Sequence, residues 1–207
     1  MTLDHLIAVV PDLRATHRRL LDAGFDEAWP PGPFWPQAIT SGIALGGANL
    51  ELVQPEAGVS TARIETVVLA PTNLEEGRIV LNDLGLAFGE REKIEPDPSL
   101  LALRGFPPEV AASPQRICTN QLPVEPPYPF FHCCYAPFLK ERLAPEGFCQ
   151  PRGPIVALAV TSPAPEDVRR LFAGHLGPIE LDVELGETSE IAEIRFADGS
   201  ILTAQDL

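Results

Sequence analysis

One pattern recurs three times along the 207-residue chain and constrains its fold more than any other feature. The opening stretch "LDHLIAVVPDLRATHRRLLDAGF" (residues 3–25) predicts an apolar strand to Val10 and a turn at "PD". Asp12 is then placed to cap a helix through "LRATHRRLLDA", and Gly24 stands where helices stop. "SGIALGGANLELVQP" (residues 41–55) predicts two short strands joined by a hairpin turn at Gly46–Gly47. "RIETVVLAPTNLEEGRIVLNDLGLAF" (63–88) repeats strand, turn and helix, ending near Gly85. "PIVALAVTSPAPEDVRRLFAGHLGPI" (154–179) repeats them again, and "IAEIRFADGSILTAQ" parallels the closing strands of the first unit.

The helices carry one apolar face each. Leu13, Leu20 and Leu21 oppose Arg14, His17 and Arg18 in the first, and Val168, Leu171, Phe172 and Leu176 form the stripe of the third. A single unit of this kind cannot bury its own sheet. Two joined units give a curved sheet with helices outside and a concave face within.

The strings "DHLIAVVPDL", "LLDAGF" and "GGANLELV", in that order, with "LPVEPPYPFFHCCY" further on, resemble the vicinal oxygen chelate superfamily, specifically its glyoxalase-like domains. The resemblance covers most of the chain, most clearly residues 1–55, while residues 89–116 match poorly. It implies an α+β fold of repeated βαβββ modules forming curved mixed sheets, the glyoxalase/bleomycin-resistance/dioxygenase-like fold. Residues 1–150 would hold two paired modules, about 1–60 and 61–150, and residues 151–207 a third, degenerate module packed on the same domain.

The resemblance also implies a divalent metal in the concave sheet, held by side chains from the first and last strands of two paired units. His5 stands at the first-strand position and Glu51 at the last-strand position of unit one. Aligning unit two on its turn places Glu65 six residues before Pro71, as His5 lies six before Pro11. Its last strand, expected at "PFFHCCY", contains His132. The implied ligand set is His5, Glu51, Glu65 and His132, suited to Zn, Ni, Fe(II), Mn or Co. Unit three offers only Ala157 and Leu202 at the matching points, so pairing of units one and three would dissolve the four-ligand site.

Three functions follow from such a site. A metal-dependent isomerase or lyase would chelate two neighbouring oxygens of a small substrate, with Glu51 or Glu65 as general base. Fe(II) held by His5, His132 and one glutamate would suit extradiol-type dioxygenase chemistry. A metal-free small-molecule-binding protein of the same fold is the non-enzyme reading. Each residue also has a purely structural role open to it. His5 could bond Asp4, Glu65 could pair with Arg63, and His132 could be a satisfied core histidine among aromatics.

Composition narrows the partners. A net charge of -14 argues against nucleic acid and against anionic membranes. No apolar run spans a bilayer and no signal peptide is evident, so a cytoplasmic protein is expected, with a homodimer as its assembly. Cys118, Cys133, Cys134 and Cys149 lack CxxC spacing and are expected as free thiols. His17 is expected on the solvated helix face, and His175 as a charge at a helix end. The 23 prolines, many in "EAWPPGPFWP" and "LPVEPPYPFF", predict extended connections, with Phe34 and Trp35 as lid residues. No Ser-His-Asp arrangement is evident.

Overall fold

The protein is represented by a computed structural model that describes residues 2–35, 38–70, 74–83, 85, 92–94, 118–120, 130–132 and 152–207. Unit one runs β1 (Thr2–Val9), α1 (Leu13–Asp22), β2 (Asp26–Trp35), β3 (Ala38–Ala44) and β4 (Asn49–Pro55). Unit two runs β5 (Arg63–Ala70), α2 (Leu74–Asp83), β6 (Glu92–Ile94), β7 (Cys118–Asn120) and β8 (Phe130–His132). Unit three runs β9 (Ile155–Ser162), α3 (Pro165–Phe172), β10 (Glu180–Leu185), β11 (Glu190–Phe196) and β12 (Ile201–Leu202), before a 3-10 turn at Ala204–Asp206. The class is α+β, as expected.

Units one and two share a six-stranded sheet in the order β2-β3-β4-β1-β5-β8. Within unit one, β1 pairs parallel with β4, and β4, β3 and β2 follow antiparallel. Within unit two, β5 pairs parallel with β8 in the same relation. The two first strands, β1 and β5, join the units antiparallel. Unit one therefore shares its sheet with unit two and not with unit three.

Unit three keeps the element order but not the wiring. Its sheet runs β10-β9-β11-β12, with β9 parallel to the next strand, β10, and antiparallel to β11. In unit one the parallel neighbour of the first strand is the last strand. Here the last strand, β12, pairs with β11, and β10 lies parallel beside β9 instead. As the edge of this sheet, β10 alternates exposed Glu180, Asp182 and Glu184 with inward Leu181 and Val183.

Local chemistry explains the elements. The Asp12 side chain accepts from the Ala15 amide at 3.0 Å, and the chain leaves α1 through Gly24 at a φ of 93°. Gly46 and Gly47 both take positive φ between β3 and β4, where other residues would be strained. The proline-rich "EAWPPGPFW" is a strand and not a loose connection. It survives as β2 because β2 is a sheet edge, where missing amides go unneeded, and its register slips three times.

His17 corrects another expectation: it is buried, not solvated. It lies four residues from Leu13 on the inward face of α1, and its ring bridges Ser41 Oγ at 2.9 Å and Glu27 Oε2 at 2.8 Å. The polar ring thereby ties the helix to β3 and β2 with both nitrogens satisfied.

One continuous core joins both large sheets, including Leu6, Leu13 and Leu50 from unit one and Leu158, Ile194 and Phe196 from unit three. The Phe25 and Phe196 rings meet at 5.8 Å, and the Arg152 guanidinium lies 4.4 Å above Phe25. The Leu207 main-chain oxygen accepts from Thr16 and Arg19 of α1 at 2.5 and 2.8 Å. Phe196→Ala removes the central ring of this contact and is expected to cost about 3–5 kcal/mol, measured by urea denaturation.

Candidate functional site

The sheet register decides which side chains share a surface. Helix α1 covers one face, where Leu50, Leu52, Leu6 and Ala8 are buried. Alternation sends their neighbours to the other face. There the cross-strand pairs form two rows. One runs Ala44, Asn49, His5, Val68, and the other Trp29, Gly42, Glu51, Ile7, Thr66. His5 and Glu51 thus meet because β1 and β4 are direct parallel neighbours.

The His5 ring is 6% exposed. Its Nδ1 lies 2.5 Å from Asp4 Oδ2, and its Nε2 lies 3.5 Å from Glu51 Oε2. Asp4 reaches the ring because the β1–β5 register shifts between Leu3 and His5, which releases Asp4 from strict alternation. Burial works against a charge on His5, but the Asp4 hydrogen bond and the negative charges of Asp4 and Glu51 outweigh it, and its pKa is raised. The arrangement is a buried imidazole held at one nitrogen by a carboxylate, with the other nitrogen turned to a second carboxylate.

Glu65 and His132 occupy other register positions in the same sheet. Glu65 falls at the register shift between Ile7 and Ala8, and its carboxylate pairs with Arg63 at 3.1 Å, 31% exposed. That is the structural partner the sequence offered for it. His132 pairs in register with Leu69 on β8, so Phe131 and not His132 stands beside Val68, the partner of His5. The His132 side chain lies outside the described part of the structure, as do those of Cys118, Phe34 and Trp35; Cys133, Cys134 and Cys149 lie wholly outside it. Among the described residues, no group of three or more His, Cys, Asp or Glu side chains is arranged around a metal position.

Two further expectations change. Ser41, His17 and Glu27 form a serine–histidine–carboxylate chain that the sequence did not reveal, because its members come from three elements. Ser41 is fully buried under α1, so the chain is a structural tie and not a nucleophile. His175 lies beyond the end of α3, its amide bonded to the Phe172 carbonyl. Its partial burial lowers the pKa and favours the neutral ring over a charged cap.

The His5–Asp4 bond is the structural partner the sequence offered for His5, whereas Trp29 was not anticipated on the site face. Asp4 adjoins His5, but a strand without a bulge would have turned it away. Trp29 sits in a proline-rich stretch whose pairing no periodicity announces.

No family model and no curated protein matches the chain. Its architecture does match solved structures. A hypothetical protein from Staphylococcus aureus aligns over 97% of this chain and 96% of its own, at 12% identity and a TM-score of 0.64. An Mn(II)-bound glyoxalase from Novosphingobium aromaticivorans aligns over 94% of this chain and 64% of its own, at 12% identity and a TM-score of 0.54. A variant of homoprotocatechuate 2,3-dioxygenase from Brevibacterium fuscum aligns over 95% of this chain and 56% of its own, at 14% identity and a TM-score of 0.54. The chain thus spans little more than half to two thirds of these two enzymes. At such identities the likeness is one of fold alone, a fold this chain shares with the glyoxalase and the dioxygenase.

The raised pKa of His5 makes stability depend on pH. The folded protein holds the His5 proton more tightly than the unfolded chain, whose histidines titrate near about 6.5. The contribution is therefore complete below that value and is lost as pH rises through the folded pKa. Denaturation midpoints of the metal-free protein should fall across this interval, and His5→Gln should flatten the fall. Glu51→Gln should lower the His5 pKa, read from its ring resonances in NMR titration.

Proposed function

We propose that this chain is a divalent-metal-dependent enzyme of glyoxalase-like type, an isomerase or lyase acting on a small substrate through two neighbouring oxygens. One observation carries the reading: His5 Nε2 and Glu51 Oε2 face each other at 3.5 Å while Asp4 holds Nδ1. A carboxylate on the far nitrogen of a ligating histidine is the usual way to fix its tautomer and orientation. An imidazole nitrogen and a carboxylate oxygen suit Mn, Fe(II), Co, Ni or Zn. Glu65 and His132 are the proposed further donors, His132 from β8, the neighbour of β5.

When bound, a divalent cation would supply Lewis-acid polarisation of a substrate oxygen. The chain supplies the rest. Asp4 keeps the His5 ring from rotating. Glu51, 16% exposed and beside the ring, takes or returns a proton at Oε2, and it is better placed for this than the solvent-facing Glu65. Ile7, Val68 and Val53 on the same face keep the surroundings apolar, which strengthens each charge interaction. His5, His132 and Glu51 would serve Fe(II) in the extradiol-type alternative.

A second reading is a metal-free small-molecule binder: among the described residues no group of three or more His, Cys, Asp or Glu side chains is arranged to hold a metal. Among the described residues no helix is long and apolar enough to cross a membrane. We place the protein in the cytoplasm as a homodimer, on the grounds of its composition and its three-unit build.

Metal analysis of protein purified without chelator or histidine tag separates the two readings. A stoichiometric metal in the native protein, lost in His5→Ala and Glu51→Ala, is the expected result. No metal, with folding unchanged in both variants, leaves the binder. Asp4→Asn is expected to weaken metal affinity about 10- to 100-fold, and affinity should rise with pH as His5 loses its proton.

A further inference from the structure

We infer that Trp29 is a substrate-contacting wall of the His5–Glu51 site and that it selects a neutral oxygen compound with a flat, conjugated body. The inference deepens the proposed function and rests on it for the position of the substrate oxygens. It begins with the row Trp29, Gly42, Glu51 across β2, β3 and β4. Directly paired residues face the same side, so all three belong to the surface opposite α1.

Gly42 is the gap in that row. A Cβ built there would lie 2.2 to 2.5 Å from Cε3, Cδ2 and Cζ3 of Trp29. The benzo ring of the indole therefore lies against the bare backbone of residue 42, extending from β2 toward Glu51. Any other residue at 42 would displace it. Trp29 is only partly buried, so the indole is not wholly covered. Its Nε1–H has no hydrogen-bond partner among the described residues and no exposure to water. Buried donors are seldom left so, and an oxygen arriving beside the ring would satisfy it.

The surrounding charge sets the rest of the class. Asp4 and Glu51 flank the single His5, and the chain carries a net charge of -14. The Asp4 and Glu51 carboxylates repel an anionic group placed beside them, and a neutral substrate meets no such repulsion. An aromatic face, an unpaired donor and two oxygens' worth of polar contact at His5–Glu51 together fit an aryl hydroxyketone better than an aliphatic one.

Two neutral probes with the same vicinal oxygens test this: α-hydroxyacetophenone, which carries a phenyl ring, and hydroxyacetone, which carries a methyl. Calorimetric titration of the full chain gives their affinities. The two tryptophan Nε1–H resonances, assigned with Trp35→Phe, report on the donor. The phenyl probe should bind at least about tenfold more tightly, consistent with one aromatic contact, and should shift the Trp29 Nε1–H resonance. Trp29→Leu should bring the two affinities together. Trp29→Phe, the conservative variant, should keep most of the preference, and circular dichroism confirms that each variant folds. Equal affinities in the native protein, no binding of either probe, or a preference unchanged in Trp29→Leu would overturn the inference. A ring preference that disappears in Trp29→Leu but persists in His5→Ala and Glu51→Gln would support the wall and remove the His5–Glu51 reading instead.

Discussion

The architecture depends on the position of β1 between β4 and β5. Its parallel bond to β4 closes unit one, and its antiparallel bond to β5 joins unit two. Both pairings act on the same residue, since His5 stands opposite Asn49 on one side and Val68 on the other. A side-chain period of two leaves no freedom here. A one-residue slip against β4 would move Glu51 from the ring of His5 to the helix face and bring Leu50 or Leu52 in its place. The candidate site is in this sense a by-product of register, fixed by the same apolar residues that hold α1.

Burying an imidazole beside two carboxylates is costly unless the charges are matched. The bulge at Asp4 offsets that cost, because it brings a first carboxylate to within 2.5 Å and leaves the 3.5 Å gap on the Glu51 side as the looser contact. His17 supplies the contrast within the same unit. Both of its nitrogens are bonded below 3 Å, and nothing about it is open.

Much of this was legible in the sequence, for stated reasons. Asp12, Gly24 and the Gly46–Gly47 turn act through local backbone chemistry, which neighbours in sequence determine. The placing of His5 and Glu51 on the first and last strands of unit one came from the resemblance, and those two strands are neighbours in the sheet. What could not be read depends on distant parts of the chain. His17 is polar in a helix with a charged surface, and only Ser41 and Glu27, brought by folding, make its burial acceptable. Prolines argued against a strand at β2 because a sequence does not declare which strand will be an edge. The wiring of unit three was not legible either, because which strand lies beside β9 is settled by pairing between distant segments and not by periodicity.

The acidic residues of β10 have a bearing on how the molecule behaves among its own copies. A sheet edge with free main-chain groups invites any extended chain to add to it, and β10 ends in Leu185, 78% exposed. Glu180 and Glu184 stand along that border, so a second molecule approaching edge to edge would meet like charge before any main-chain bond could form. Part of the negative surplus of this chain thus serves colloidal separation: it keeps crowded copies from zipping into fibres.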